Sequence, residues 1–165
     1  MEKWYLAHCR PREEERAQQH LSNQDIEAYY PHVEVEKLVR GKRVKRIEAL
    51  FPGYIFLRAD LGVTSAATIR STRGIRSLVR FGAYPCEVPG QLVYELMARA
   101  DSDELRGLMS DLPKTGDKVV INQGPFTGLE AIYQEPDGEQ RAILLLTLLH
   151  KETKASIANT DYQAL

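Results

Sequence analysis

The sequence predicts an α/β (α+β) domain over residues 1–99, a linker over 100–113, and a smaller C-terminal unit over 114–165 that reads equally as strands or as helices. Three observations lead there. Runs of β-type residues alternate with helical stripes as far as residue 99, the order of a sheet interleaved with helices. Ala100 to Pro113 then turns polar and acidic, although Leu105, Leu108, Met109 and Leu112 keep a helical spacing. Beyond it, turn residues at strand spacing overlie apolar residues at helical spacing.

Trp4 to Cys9 reads as a buried strand. Pro11 is placed to open a helix whose first turn carries Glu13, Glu14 and Glu15, favourable at the positive helix end, and which runs to about Asn23. Ile26 to Leu38 alternates as a strand, with Pro31 setting part of it at an edge. Arg40-Gly41-Lys42-Arg43 forms a basic hairpin tip, and Leu50 to Leu57 leads into a central strand. Ala66 to Arg70 is a short helix and Ser77 to Phe81 a strand. Pro89 starts a helix with an apolar stripe of Leu92, Val93, Leu96 and Met97.

In the C-terminal unit, Gly116-Asp117, Gly124-Pro125, Gly128 and Asp137-Gly138 separate Val-, Ile- and Tyr-rich runs, as in a small antiparallel barrel. Leu129, Ile132 and Tyr133, then Ala142, Leu145, Leu146 and Leu149, recur instead at spacings of three and four. Local propensity leaves both folds open, so something outside the segment selects between them.

Composition narrows the function classes. The longest apolar stretch, within Ala142 to Leu149, is far short of the ~18 residues of a membrane span. The N-terminus has no basic and apolar blocks of a secretory signal, and two cysteines make no disulfide framework, so a cytoplasmic monomer is expected. Residues 1–100 hold 16 basic against 12 acidic side chains, and residues 101–165 hold 6 against 11. Opposed halves of this kind fit a basic unit that meets nucleic acid and an acidic one that does not, or a chance split in a neutral chain.

Two groups of residues are candidates for binding. Arg16, His20 and Gln24 are spaced by four, with Arg10 just before them and Arg70, Thr72 and Arg73 in a later turn. Such a set holds phosphates and stacks on bases, or is a solvated face. The second group is apolar: Phe51, Pro52, Tyr54, Phe56, Phe81, Val93, Leu96 and Met97. Tyr54 and Phe56 share one strand face, and Ile55 and Leu57 the other. With both faces apolar, one packs on the domain's helices, and the other is a sandwiched core or needs a cover from another protein or from the chain's own tail. His8 and Cys9 point to opposite faces of a strand, which argues against a nucleophile and its base. His32 and His150 lack partners at metal-ligand spacing, and no phosphate-binding glycine loop occurs. Neither an enzyme nor a cofactor is expected.

Leu50-Phe51-Pro52-Gly53-Tyr54-Ile55-Phe56, Thr72-Arg73-Gly74, and Gly116-Asp117 with Gly124-Pro125-Phe126-Thr127-Gly128 resemble the NusG family of transcription elongation factors, the last group resembling its KOW module. Val39-Arg40-Gly41-Lys42-Arg43, Val79-Arg80-Phe81-Gly82-Ala83 and Glu135-Pro136-Asp137-Gly138-Glu139 look like the specialised, operon-specific branch of that family. The resemblance implies an N-terminal NGN-like domain that binds the clamp helices of the RNA polymerase β′ subunit through Phe51, Pro52, Tyr54, Phe56, Phe81, Val93, Leu96 and Met97, with His8 at the rim. Arg10, Arg16, His20, Gln24, Thr72 and Arg73 match positions that read the ops element in the non-template DNA strand.

The resemblance further implies a tail that docks as a helical hairpin in the free protein. Leu129, Tyr133, Leu145, Leu146 and Leu149 would line the docked face, and Glu48 and Arg141 would make an exposed ion pair worth at most about 1 kcal/mol. Once released, the tail would refold as a five-stranded KOW barrel that binds a small-subunit ribosomal protein. The chain departs from the pattern at three places. His8 replaces an aromatic residue, Ser65-Ala66-Ala67 stands where the branch contacts the polymerase β gate loop, and Pro125 favours a first tail helix that begins near it and leaves Lys118 to Gln123 irregular.

Overall fold

The computed structural model describes residues 1–99 and 128–163, with side chains described as far as residue 152. The linker, the Gly116-Asp117 and Gly124-Pro125 turns and the segment Lys118 to Gln123 lie outside the described residues.

The chain order is β1 (Lys3–Cys9), α1 (Glu14–Ser22), β2 (Glu27–Tyr29), β3 (His32–Val39), β4 (Lys42–Ala49), β5 (Tyr54–Ala59), α2 (Ala66–Arg70), β6 (Ile75–Leu78), β7 (Glu87–Val88), α3 (Gly90–Ala98), α4 (Leu129–Gln134) and α5 (Gly138–Gln163). The main sheet is antiparallel, in the order β2-β5-β1-β6, and β7 shares the outer edge of β1 with β6. β5 is central, as its apolar run requires. β3 and β4 form a separate two-stranded ribbon.

Alternation along β1 and β5 sorts their side chains onto two faces. Ile55 and Leu57, with Tyr5, Ala7 and Cys9, pack under α1 and α2 through Ala17, Leu21 and Ile69. Leu6 and Phe56 face the opposite way, against Leu92, Val93 and Leu96 of α3 and against α4 and α5. The tail therefore completes the second layer.

Three expectations change. Pro11 does not open α1: Arg12 has φ 63°, a left-handed conformation that cannot sit in a right-handed helix, so Glu13 takes the cap position and the helix starts at Glu14. The run 26–38 is two strands in two sheets. Pro31 has no N–H for a ladder, and its carbonyl instead accepts from Leu50 N at 2.9 Å, which holds the root of the ribbon. The strand expected at Ser77 to Phe81 is β6, ending at Leu78; the chain then turns, closed by Cys86 N donating to Val79 O. In the tail, the first described helix begins at Leu129 after Gly128 at φ 103°, and the helix start expected near Pro125 lies outside the described residues.

Candidate binding surfaces

The face of the sheet under the tail gathers most of the apolar candidates. Phe51, Phe56, Val93 and Leu96 are buried there, and Tyr54, Phe81 and Met97 pack half-buried against the same cluster. Phe51 and Phe56 meet edge to face at 6.1 Å, and His8 stacks on Tyr54 at 4.9 Å. Burial, followed by the neighbouring Arg76 charge, holds the His8 imidazole below its ordinary pKa, which favours its neutral form in that stack. Pro52 is exposed toward solvent on one side and meets Gly138 on the other.

The cover is helical. From α4, Leu129 and Ile132 are buried in this cluster, and from α5 Ala142, Leu145, Leu148 and Leu149; Tyr133, Leu144 and Leu146 pack at its margin. Residues spaced by three and four give each helix one apolar face, and the face needs a partner because short helices are marginal alone. Ring contacts extend the seat: His150 stacks on Phe81 at 4.9 Å, and the Arg99 guanidinium lies 5.1 Å from the Tyr133 ring while pairing with Glu130. Leu148, Arg99 and the Phe81–His150 stack are additions to the residues read from sequence. Leu148 falls on the Leu145/Leu149 stripe, so spacing alone could have found it.

Arg141 corrects the expected exposed ion pair. Its side chain is 1 % exposed. Nε donates to Leu50 O at 2.8 Å, Nη1 to Glu135 O at 2.8 Å, and Nη2 to Glu48 Oε1 at 2.8 Å and to Ala49 O at 3.2 Å. A buried guanidinium with this many acceptors is stitched into the fold, and removing it strands polar groups rather than loosening a surface pair. Glu48 also accepts from Lys37 Nζ at 2.7 Å. Burial pushes the Glu48 carboxyl upward, but the hydrogen bonds from Lys37 and Arg141 outweigh it and hold the group below its ordinary value. Gly138 permits this approach: a Cβ there would lie 2.7 Å from Pro52 Cγ and 3.2 Å from Arg141 Nη2.

The polar candidates collect on the other side of the sheet. Arg10, Arg16, Arg70, Thr72 and Arg73 line one open depression of about 370 Å3, which also holds Glu13. Gly74 makes this possible. It has φ +91°, a Cβ would come within 2.7 Å of Glu13 O, and its carbonyl accepts from Arg10 N at 2.8 Å, so the α2–β6 turn is pressed onto the start of α1. Arg16 is paired with Glu13 at 3.0 Å. His20 and Gln24 do not line the depression. Gln24 lies past the end of α1 rather than on its face, and its Nε2 donates to His20 O and to Thr72 Oγ1 at 3.0 Å. Thr72 is buried, and its hydroxyl donates in turn to Thr68 O, so it supports Gln24 from beneath. The depression offers four guanidinium groups and one carboxylate, a chemistry suited to phosphate.

The family profile described as "Transcription termination factor nusG" matches residues 2–97, which run from β1 into α3. The chain belongs to the NusG family. Proteins named transcription termination/antitermination protein NusG are similar to it along most of its length. The one from Streptomyces griseus is 24 % identical over 97 % of this chain. Those from Deinococcus radiodurans and Thermus thermophilus are 25 % and 28 % identical, each over 93 % of this chain and 94 % of their own. This NusG-family chain spans 63 % of the length of the Streptomyces griseus relative. A structure titled "Domain interaction in Thermotoga maritima NusG" aligns over 61 % of this chain and 58 % of its own, with a TM-score of 0.42 and 20 % identity.

Proposed function

We propose that this chain is an operon-specific transcription elongation factor and antiterminator of the RfaH kind. The free protein keeps α4 and α5 on the apolar sheet face, where they block the clamp helices of the polymerase β′ subunit. Arg10, Arg16, His20, Gln24, Thr72 and Arg73 then engage an ops element in the exposed non-template strand, whose flipped bases stack and hydrogen-bond without any duplex being melted. Recruitment frees the tail, which refolds as a KOW barrel and joins a small-subunit ribosomal protein, coupling translation to transcription. Bound through Phe51, Tyr54, Phe56 and their neighbours, the N-terminal domain suppresses pausing and termination.

The observation that carries this reading is the seat of α5. A run of leucines that lacks the alternation of a barrel strand lies as a helix on the surface the family resemblance assigns to polymerase, fixed by Arg141. The competing reading is a general NusG-like elongation factor with a permanent barrel, favoured by the similarity to proteins named transcription termination/antitermination protein NusG from three bacteria. Circular dichroism and amide NMR of the full chain beside residues 114–165 alone separate the two. A helical tail in the full chain and a strand-rich isolated segment are expected. Strand in both samples would refute the switch. Recruitment that is indifferent to the ops sequence would refute operon specificity.

A further inference from the structure

The basic hairpin tip has no part in the function proposed above. Between residues 37 and 46 the chain carries Lys37, Arg40, Lys42, Arg43, Lys45 and Arg46 and no acidic side chain. β3 and β4 pair over eight residues on each side, from His32↔Ala49 at the root to Val39↔Lys42 at the tip. Arg40 and Gly41 close the ribbon with φ 52° and 79°, the two left-handed residues of a type I′ turn, which keeps the strands twisted together to the end. At 3.3 Å per residue the ribbon is roughly 26 Å long. It pairs with no strand of the main sheet.

Its charges are available. Among the described residues, only Lys37 of the six is ion-paired, with Glu48 near the root. The side chains of Arg40, Lys42, Arg43, Lys45 and Arg46 are all exposed. Partners across the ribbon share a face, so Arg43 lies beside Leu38, which is 75 % exposed, and Lys45 beside Glu36 on one face, while Lys42 and Arg46 occupy the other. Positive charge thus flanks the ribbon on both sides, as it must for an element that enters between two phosphate backbones.

We propose that the β3–β4 ribbon is a second nucleic-acid contact, an arm that lies in the major groove of double-stranded DNA and holds its phosphates without reading sequence. Two strands about 4.8 Å apart, with their side chains, match a B-form major groove about 12 Å wide. The deep, narrow major groove of A-form RNA does not admit them. The arm belongs to elements distinct from those that line the depression at Arg16 and Arg73. The inference depends on neither polymerase binding nor the state of the tail.

The test is fluorescence anisotropy of the full chain with a short DNA duplex of arbitrary sequence and with the corresponding RNA duplex, each across a salt series. Lys42→Gln, Arg43→Gln and Lys45→Gln together remove three charges while leaving the Arg40-Gly41 turn intact; unchanged NMR amide dispersion checks the fold. Each phosphate contact contributes about 0.9 to the slope of log K against log salt, so the triple variant should flatten that slope by roughly 2 to 3 and bind DNA duplex at least tenfold more weakly at about 0.1 M salt. An unchanged slope in the triple variant overturns the proposal and makes an acidic protein surface the better occupant of the ribbon. Equal binding of the RNA duplex overturns the groove assignment.

Discussion

Gly138→Ala separates docking of the tail from its helical propensity, because the two respond with opposite signs. Gly138 is the first residue of α5, so a methyl there favours the helix by something under the ~1 kcal/mol that separates alanine from glycine in a helix interior. Docking suffers instead. The added Cβ would sit 2.7 Å from Pro52 Cγ and 3.0 Å from Pro52 Cδ, and a proline ring cannot swing aside as a flexible side chain does. It would also meet Arg141 Nη2 at 3.2 Å and disturb the hydrogen bonds to Glu48 and Ala49. Overpacking of this kind costs about 1–3 kcal/mol. After the helical gain is subtracted, a net loss of about 1–2 kcal/mol remains, which raises the open population by roughly 5- to 30-fold. Amide hydrogen exchange at Leu145 and Leu149, both buried in the docked helix, reads that population directly. Faster exchange is expected. Slower exchange would mean that helix propensity governs the tail and the sheet face does not, and the reasoning would fail.

Arg141→Met should open the tail further, by about 3 kcal/mol, because the carbonyls of Ala49, Leu50 and Glu135 lose their donor while Glu48 keeps only Lys37; a α5 exchange rate equal to that of the unaltered chain would contradict the stitched geometry. Acid should act on the same contact. The Glu48 carboxyl is held below its ordinary 4.5, so its contribution is complete above that pH and fades as pH falls through the depressed value; α5 protection should drop in that window, and Glu48→Gln should remove the dependence. Glu13→Gln should tighten binding of a single-stranded oligonucleotide by up to about fivefold, since Glu13 competes with phosphate for Arg16 across an exposed pair; unchanged affinity in an anisotropy titration would show that no competition exists.

The sheet was legible where burial is continuous. β1 and β5 carry unbroken apolar runs, and the division of Tyr54 and Phe56 from Ile55 and Leu57 follows from the pleat alone, so the two packed faces could be written down in advance. Pro31 was legible as a disturbance but not as a change of sheet, because nothing near it states that Leu50 takes its carbonyl. Arg12 at positive φ leaves no mark in sequence, since arginine has no preference for that conformation, and the start of α1 was misplaced for that reason.

The tail illustrates a different limit. Leu145, Leu146 and Leu149 carry helical spacing and β-compatible bulk together, and the sheet face that receives them lies almost a hundred residues earlier in the chain. The burial of Arg141 was out of reach for the same reason, its acceptors at Leu50, Ala49 and Glu48 being 91 to 93 positions away. Of the polar candidates, Arg10, Arg16, Thr72 and Arg73 line one depression, whereas the place of Gln24 depends on where α1 ends.

Besides Glu135 of its own tail, Arg141 grips three residues, the last two of β4 and the first beyond it, where the ribbon joins the body of the molecule. Whatever lifts α5 away therefore also takes a donor from the carbonyls of Ala49 and Leu50 at the base of the ribbon, while Leu50 N keeps its bond to Pro31 O. The seat of the tail and the root of the ribbon thus share a single arginine as their pin.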